Sequence, residues 1–267
     1  MNFLKPDAFF DLPSFVHRDL FTGCKYVWEA LNNITGYLGQ HMQPNMGGLK
    51  SFRRPLPKTI AVWRGKILDS GFEIIGGDVS RGEFRVRIGD EETGEAAVLY
   101  EGSVIWDDAV FIGPGAVVEP GALVKGPCII GAHTEVRQGA YVRGNCIVGS
   151  RCVVGHTTEM KWSILLDGAK AGHFAYIGDS ILGMDVNLGA GTKLANLKIK
   201  DQTIRVMAHG TNIITNLRKF GAVIGDHGEI GCNAVTNPGT VLGRSCRVFP
   251  LTSVRAGYYE PNSTIRG

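Results

Sequence analysis

An apolar residue returns at every sixth position between residues 112 and 166, and this period constrains the fold more than any other feature. The series is Ile112, Val118, Val124, Ile130, Val136, Val142, Val148, Val154, Met160 and Leu166. Helices repeat about every 3.6 residues and strands alternate about every two, so neither element alone explains a period of six. Short strands joined by tight turns do explain it, because each hexapeptide then supplies one strand and one corner of a parallel β-helix.

The repeat divides the chain into three parts. We expect a small helix-plus-strands region over residues 1–101, the β-helix over residues 102–256 and a polar tail over residues 257–267. In the first part, apolar residues recur at helical spacing over residues 20–38, and strand-like segments follow that end in a hairpin over residues 84–100. The predicted fold class is therefore mainly β, a parallel β-helix of hexapeptide repeats with a small α+β N-terminal cap.

Two interruptions break the repeat. The spacing from Leu166 to Ile177 is eleven residues where two hexapeptides need twelve, so we place a register slip within residues 170–180. Residues 197–222 then leave the repeat altogether as a loop excursion with several basic residues. Irregular coils and long loops inside a regular architecture are often functional, so both interruptions are candidate site regions.

The composition excludes several classes of protein. The formal net charge is +3 without a basic cluster, so we expect no nucleic-acid partner. No run of about 18 apolar residues occurs, so we expect no membrane span. The first fifteen residues contain acidic residues and proline where a signal peptide would be apolar, so we expect a cytoplasmic protein.

The cysteines fit the same expectation. Four of the six occupy the small inward position of the repeat, namely Cys128, Cys146, Cys152 and Cys246. Cys128 and Cys146 would stack on adjacent coils about 5 Å apart, which is within reach of a disulfide. Because cytosolic thiols are normally reduced, we interpret these side chains as small buried hydrophobic groups.

One histidine in the slip region is a candidate general base. His173 lies in the segment KAGHFAYIGDS, where small neighbours leave room for a substrate and Tyr176 supplies a hydroxyl group. Histidine is the natural general base near neutral pH. The alternative is a histidine on a surface turn without a chemical role.

Two cations occupy equivalent places on neighbouring coils. Arg143 and Lys161 are 18 residues apart, and each follows an inward residue, so both side chains point outward. Two stacked cations repel each other unless an anion lies between them, and a phosphate group would be such an anion. The alternative is a solvated basic face with a nearby carboxylate such as Glu159.

Four segments carry a resemblance to a known family. They are EMKWS (159–163), KAGHFAYIGDS (170–180), VNLGAGTKLAN (186–196) and RKFGAVIGD (218–226). Over about residues 105–255 the chain resembles the C-terminal acetyltransferase half of the bifunctional glucosamine-1-phosphate acetyltransferase / N-acetylglucosamine-1-phosphate uridylyltransferase. It is also similar to the archaeal-type sugar-phosphate nucleotidylyltransferase-acetyltransferases.

The resemblance implies a left-handed coil and a homotrimer with sites between subunits. It also implies N-acetyl transfer from acetyl-CoA to an amino-sugar phosphate. We expect no metal, because no two histidines are four or five residues apart. By matching position, His173 would be the base and Asn196 would lie beside the reacting centre. The matching substrate-binding residues are Arg143, Lys161, Tyr176, Asn187 and Lys219. Contacts to coenzyme A would come from Ala190, Cys232 and Pro250.

The chain also departs from this family. The first hundred residues lack the Gly-rich nucleotide loop and the length of the uridylyltransferase domain, so we expect no nucleotidyl transfer. Leu197 and Lys198 follow Asn196 where the family has a tyrosine and an acidic residue, which leaves the exact sugar open. Two alternatives therefore stay open: a non-catalytic trimeric module that binds a sugar nucleotide or regulates a partner, and a protein related to the sugar-phosphate nucleotidyltransferases. A β-helical carbonic anhydrase is another, with zinc held by some of His133, His156, His173, His209 and His227.

Overall fold

The computed structural model describes residues 2–199 and 202–267. The N-terminal region contains short 3-10 helices (Asn2–Leu4, Pro6–Ala8, Leu12–Ser14, Arg18–Phe21 and Val27–Glu29), helix α1 (Ala30–His41) and strands β1 (Ile60–Trp63), β2 (Lys66–Leu68), β3 (Phe72–Gly76), β4 (Arg85–Ile88) and β5 (Glu91–Thr93). The strands that follow are β6 (Ala97–Leu99), β7 (Val104–Ile105), β8 (Val110–Ile112), β9 (Val117–Val118), β10 (Leu123–Val124), β11 (Cys128–Ile130), β12 (Glu135–Val136), β13 (Tyr141–Val142), β14 (Cys146–Val148), β15 (Val153–His156), β16 (Glu159–Lys161), β17 (Ser163–Leu165), β18 (Lys170–His173), β19 (Tyr176–Gly178), β20 (Ile181–Leu182), β21 (Asn187–Leu188), β22 (Lys193–Leu194), β23 (Arg205–Ala208), β24 (Thr211–Ile214), β25 (Ala222–Ile224), β26 (Glu229–Ile230), β27 (Val235–Thr236), β28 (Thr240–Leu242), β29 (Arg247–Val248), β30 (Ser253–Val254), β31 (Gly257–Tyr259) and β32 (Thr264–Ile265).

Three sheets wrap around one apolar axis, so the predicted fold class is confirmed. Sheet 1 has the order β2-β1-β6-β9-β12-β15-β18-β21-β26-β29-β32. Sheet 2 has the order β30-β27-β22-β19-β16-β13-β10-β7, and sheet 3 the order β31-β28-β25-β20-β17-β14-β11-β8. Each coil passes through sheet 1, sheet 2 and sheet 3 in turn, and neighbouring coils pair in parallel. Because of this pairing, residues one coil apart lie side by side.

The inward side chains fill the axis in the manner that the repeat predicts. Cys128 and Cys146 are register partners on adjacent strands of sheet 3, and both are buried free thiols. Burial raises the pKa of Cys146 to about 12. These thiols therefore act as small packing groups at neutral pH.

The register slip lies earlier than predicted, and it occurs twice. Val142 pairs with Met160, 18 residues on, but Val148 pairs with Leu165, only 17 residues on. One residue is therefore lost at the corner around Trp162, and the inward residue is Leu165 instead of Leu166. A second short corner follows at Asp179, inside the predicted range. Periodicity alone favours Leu166, which continues the six-residue series from Met160, but Leu165 joins the axial core and Leu166 is buried against an outer layer.

That outer layer is the N-terminal region, which covers the outside of sheet 3. Its aromatic and aliphatic side chains pack on the outward residues of the sheet, which include Ile129, Ile147, Ile164, Ile181, Val223 and Val241. Asp226 fastens the start of the chain: its Oδ2 accepts the Asp11 N–H at 2.7 Å, and its N–H donates to the Phe9 carbonyl at 3.0 Å. The predicted helix over residues 20–38 is wrong in its first half, because apolar spacing of three also suits the 3-10 turns found there.

The rest of the N-terminal region closes one end of the axis and covers part of sheet 1. Met46, Leu49 and Leu56 join the inner core at that end. Strands β3, β4 and β5 form a small antiparallel sheet that packs on the outer face of sheet 1. The predicted hairpin over residues 84–100 is therefore shorter: β4 pairs with β5, whereas β6 joins sheet 1 beside β9. Strand β6 is buried on both sides, as a strand between two layers must be.

Within the predicted excursion at residues 197–222, of which residues 200 and 201 lie outside the described residues, the part over residues 205–214 has structure of its own. Strands β23 and β24 form an antiparallel hairpin, and its apolar residues join the outer core on sheet 3. Among the residues that the structure describes, no helix is long and apolar enough to cross a membrane.

Candidate functional site

The corner between sheets 1 and 2 aligns four of the predicted site residues. His173, Ala190, Cys232 and Pro250 each follow an inward residue of sheet 1 by two positions, and those inward residues are register partners. Backbone hydrogen bonds link successive coils at this corner: Gly191 N–H donates to the His173 carbonyl at 3.0 Å, for example. We call this line of residues the first corner. It brings the candidate base and the three candidate coenzyme A contacts onto one edge of the molecule.

A groove of about 370 Å³ opens on the sheet 1 side of the first corner. His173 and Asn187 are exposed in it, and Ala190 forms part of its wall. Among the described residues, the Ala190 N–H has no hydrogen-bond acceptor, so it is available to a ligand. The groove thus presents an imidazole, an amide and a backbone donor to one space.

The other predicted residues gather at the corner between sheets 2 and 3. Asn196 lies at this second corner, and the Tyr176 hydroxyl donates to its Oδ1 at 3.4 Å. The Phe220 N–H donates to the Asn196 carbonyl at 3.0 Å, which places exposed Lys219 beside it. Arg143 and Lys161 lie on preceding coils of the same edge.

Asp179 organises the second corner, and the sequence reasoning did not single it out. Its Oδ2 accepts a 2.6 Å bond from Lys161 Nζ and another from the Asn196 amide. The Asp179 side chain is only 10% exposed. Burial raises the pKa of Tyr176, and the negative charges of Asp179 and Glu159 raise it further. The sequence signal that could have identified Asp179 is the short corner that contains it, because a shortened turn brings the side chain of its corner residue against the neighbouring coil.

The stacked cations have carboxylate partners within the chain. Arg143 Nη1 lies 2.7 Å from Glu159 Oε1, as the alternative interpretation of this pair expected. Lys161 is paired with Asp179. Their proximity therefore does not by itself require a bound phosphate.

Removing Asp179 should destabilise the protein far more than removing Glu159. The Asp179→Ala variant leaves the mostly buried Lys161 ammonium unpaired, and we expect it to lose about 3 kcal/mol of unfolding free energy. Glu159→Ala breaks a pair whose side chains are 43% and 36% exposed, which should cost less than about 1 kcal/mol. Urea titration measures both, and equal losses would contradict the role given to Asp179.

The predicted site residues of one chain therefore form two groups, one at each edge of sheet 2, which we call the two half-sites. Six residues separate His173 from Asp179, so at about 3.3 Å per residue the two corners lie at most roughly 20 Å apart. Each half-site contains residues that the resemblance assigns to one reaction.

The positions of the histidines test the alternative of a zinc-dependent carbonic anhydrase. His156 and His173 are register partners on adjacent coils. Across residues 2–199 and 202–267, no three side chains of the metal-binding types cluster in a way that could hold an ion.

Comparison with known proteins confirms the resemblance in the β-helix. Residues 124–219 match the GMPPB C-terminal domain. The bifunctional sugar-1-phosphate nucleotidylyltransferase/acetyltransferase of Sulfurisphaera tokodaii is 38% identical over 109 residues, which are 40% of this chain and 27% of that protein. The bifunctional protein GlmU of Pseudomonas putida is 30% identical over 186 residues, which are 66% of this chain and 39% of that protein.

Another GlmU, that of Methanococcus vannielii, is 39% identical over 101 residues, covering 36% of this chain and 24% of that protein. The chain thus spans about a quarter of the first two relatives. Among solved structures, the acetyltransferase domain of PglB from Neisseria gonorrhoeae FA1090 aligns over 59% of this chain and 54% of that chain, at 16% identity and a TM-score of 0.32. A score this low carries no argument.

Proposed function

We propose that the protein is an acetyl-CoA-dependent N-acyltransferase that acts on an amino-sugar phosphate such as glucosamine-1-phosphate. The observation that carries the proposal is the first corner, where exposed His173 stands in line with Ala190, Cys232 and Pro250 beside a groove. The relatives named as acetyltransferases support it. The exposed candidate base beside an unpaired backbone donor suits acyl transfer without a covalent enzyme intermediate.

The reaction needs one proton acceptor and one oxyanion donor. The amino nitrogen attacks the thioester carbonyl carbon, His173 takes the proton released from nitrogen, and the Ala190 N–H donates to the negatively charged oxygen. The carbon–sulfur bond then breaks as the carbonyl re-forms, and the thiolate leaves as coenzyme A. Asn196 and Tyr176 would orient the acceptor from the other half-site.

The direct test is release of free thiol from acetyl-CoA in the presence of glucosamine-1-phosphate and a panel of other amino-sugar phosphates. Turnover with one acceptor supports the proposal and identifies the sugar. Binding of a sugar nucleotide without turnover on any acceptor would instead support a non-catalytic trimeric module.

The two half-sites suit a homotrimer in which the first corner of one subunit faces the second corner of the next. Sheet 3 and part of sheet 1 are covered by the chain's own N-terminal region, which leaves sheet 2 and the rest of sheet 1 for contact with other copies. Co-expressing His173→Ala with Asn196→Ala should then restore about a quarter of wild-type activity, because random assembly gives one interface in four with both residues intact. Complete inactivity of the mixed protein, with each partner folded, would place both residues in one subunit's site.

Cys232 offers a binding readout that does not depend on turnover. It is exposed, whereas Cys128, Cys146, Cys152 and Cys246 are buried and Cys24 has its pKa raised to about 11, chiefly by burial. We expect a thiol reagent at pH 8 to label Cys232 first and acetyl-CoA to slow that labelling at least about tenfold. Glucosamine-1-phosphate alone should leave the labelling rate unchanged. If saturating acetyl-CoA does not slow the labelling, Cys232 does not contact the cofactor.

A further inference from the structure

A closed loop of the small N-terminal sheet overhangs the groove beside His173. The Asp78 carboxylate accepts the Ser80 hydroxyl at 2.9 Å and the Arg81 N–H at 3.0 Å. Gly77 closes the neck of the loop with φ +124°, and a Cβ there would lie 2.3 Å from the Glu83 carbonyl oxygen. The loop is therefore held in one shape, and Arg81 and Asp78 line the groove.

Three cations line this groove, and they differ in how closely a carboxylate of a described residue holds them. Arg137 Nε is bound to Glu135 Oε2 at 2.6 Å. Arg81 Nε lies 3.5 Å from Asp78 Oδ2, and its side chain is 74% exposed. Lys170 has no carboxylate of a described residue within ion-pair distance. The hydrogen bond from the Arg81 N–H lowers the pKa of Asp78, and the charges of Arg81 and Lys170 add to this effect, so the two cations share one neighbourhood.

The second corner is a less favourable binding site for a phosphate group than this groove. There, Arg143 and Lys161 already hold Glu159 and Asp179 at 2.7 and 2.6 Å, so an anion would have to displace a carboxylate. In the groove, an anion can bind without breaking a comparable pair. A phosphate oxygen also suits both donors, the planar guanidinium and the ammonium.

We propose that Arg81 and Lys170 form a phosphate subsite facing His173, in which Arg81 comes from a loop that lies outside the matched family region of residues 124–219. The inference rests on the proposed function for the source of the phosphate. That source is either coenzyme A or the acceptor sugar, since both carry phosphate groups. The loop would then fix where the phosphate-bearing ligand lies relative to the candidate base.

Equilibrium titrations of the full chain test the subsite with three probes: pyrophosphate, coenzyme A and glucosamine-1-phosphate. The variants are Arg81→Ala, Lys170→Ala and the double variant. Arg87→Ala is the matched control, because Arg87 lies on the same small sheet, outside the groove, and is paired with Glu73 at 2.6 Å. We expect each groove variant to weaken binding of a phosphate probe about tenfold, the double variant about a hundredfold and the control less than twofold.

The pattern of losses assigns the source and separates the two proposals. Weaker binding of coenzyme A alone assigns the subsite to the cofactor, and weaker binding of glucosamine-1-phosphate alone assigns it to the acceptor. A third outcome is that wild type binds pyrophosphate but neither coenzyme A nor glucosamine-1-phosphate, and that the double variant loses the pyrophosphate binding. This outcome supports the subsite and overturns the proposed acyl transfer. Equal affinities of wild type and double variant for all three probes overturn the subsite.

Discussion

Replacing His173 with alanine is expected to reduce acetyl transfer at least about 100-fold, the usual contribution of a positioned general base. The imidazole is exposed at the first corner, where it can reach an acceptor amine without a change in the fold. The loss should appear mainly in kcat, because proton transfer belongs to the transition state and not to ground-state binding. Measurement of thiol release under saturating acetyl-CoA gives kcat and KM separately.

His156→Ala is the matched control for this experiment. His156 is the register partner of His173 one coil earlier, and its Nδ1 lies 3.0 Å from the Gln138 carbonyl oxygen. A general base at His173 predicts less than about a threefold change in the control, whereas a metal held by stacked histidines predicts that both variants are inactive. A fully active His173→Ala variant would show that His173 is not the general base.

A second large effect is expected from one glycine of the β-helix. A Cβ at Gly155 would lie 1.9 Å from the Gly172 carbonyl oxygen and 2.1 Å from its carbonyl carbon on the next coil. Gly155→Ala therefore forces the backbones of two coils apart and should lower the unfolding free energy by about 3 kcal/mol. For a chain of this size that corresponds to a fall in Tm of roughly 6–12 °C.

Gly172→Ala controls for the loss of glycine itself. The two glycines belong to the same line of the β-helix, yet a Cβ at Gly172 would meet no atom within 4 Å. Its Tm should stay the same or rise slightly, because alanine reduces the conformational entropy of the unfolded chain. Scanning calorimetry compares the two variants, and a similar fall in both would contradict the steric explanation.

The architecture and the first corner could be predicted from the sequence, because in a β-helix the spacing of residues along the chain determines where each residue lies on a coil. Once an inward residue is known, a residue two positions later lies on a corner, and register partners repeat this on every coil. His173 was singled out because it lies in an irregular stretch of the repeat, whereas Ala190 and Cys232 came from the resemblance alone. No comparable rule applies to Asp179, because its contacts depend on the length of one corner.

Other features depend on packing between distant segments, which periodicity does not encode. Leu165 and Leu166 are equally apolar, and only the outer layer decides which one faces the axis. Strand β6 follows the small sheet in sequence but pairs with β9, because burial on both sides favours a place in sheet 1. The position of the loop with Arg81 also depends on packing between distant segments. The apolar face of the small sheet packs on the outer face of sheet 1, and this brings the loop to the groove.

The attachment of the N-terminus to Asp226 has a consequence for how the protein is made. The bond from the Asp11 N–H to the Asp226 carboxylate joins residues 215 positions apart. During synthesis, the aromatic N-terminal segment therefore emerges long before its partner strands of sheet 3 exist. Such distant contacts form late and leave apolar surface exposed meanwhile. Asp11 thus leaves the ribosome long before Asp226, and the nascent chain must keep this segment from other partners until the coil that carries Asp226 is complete.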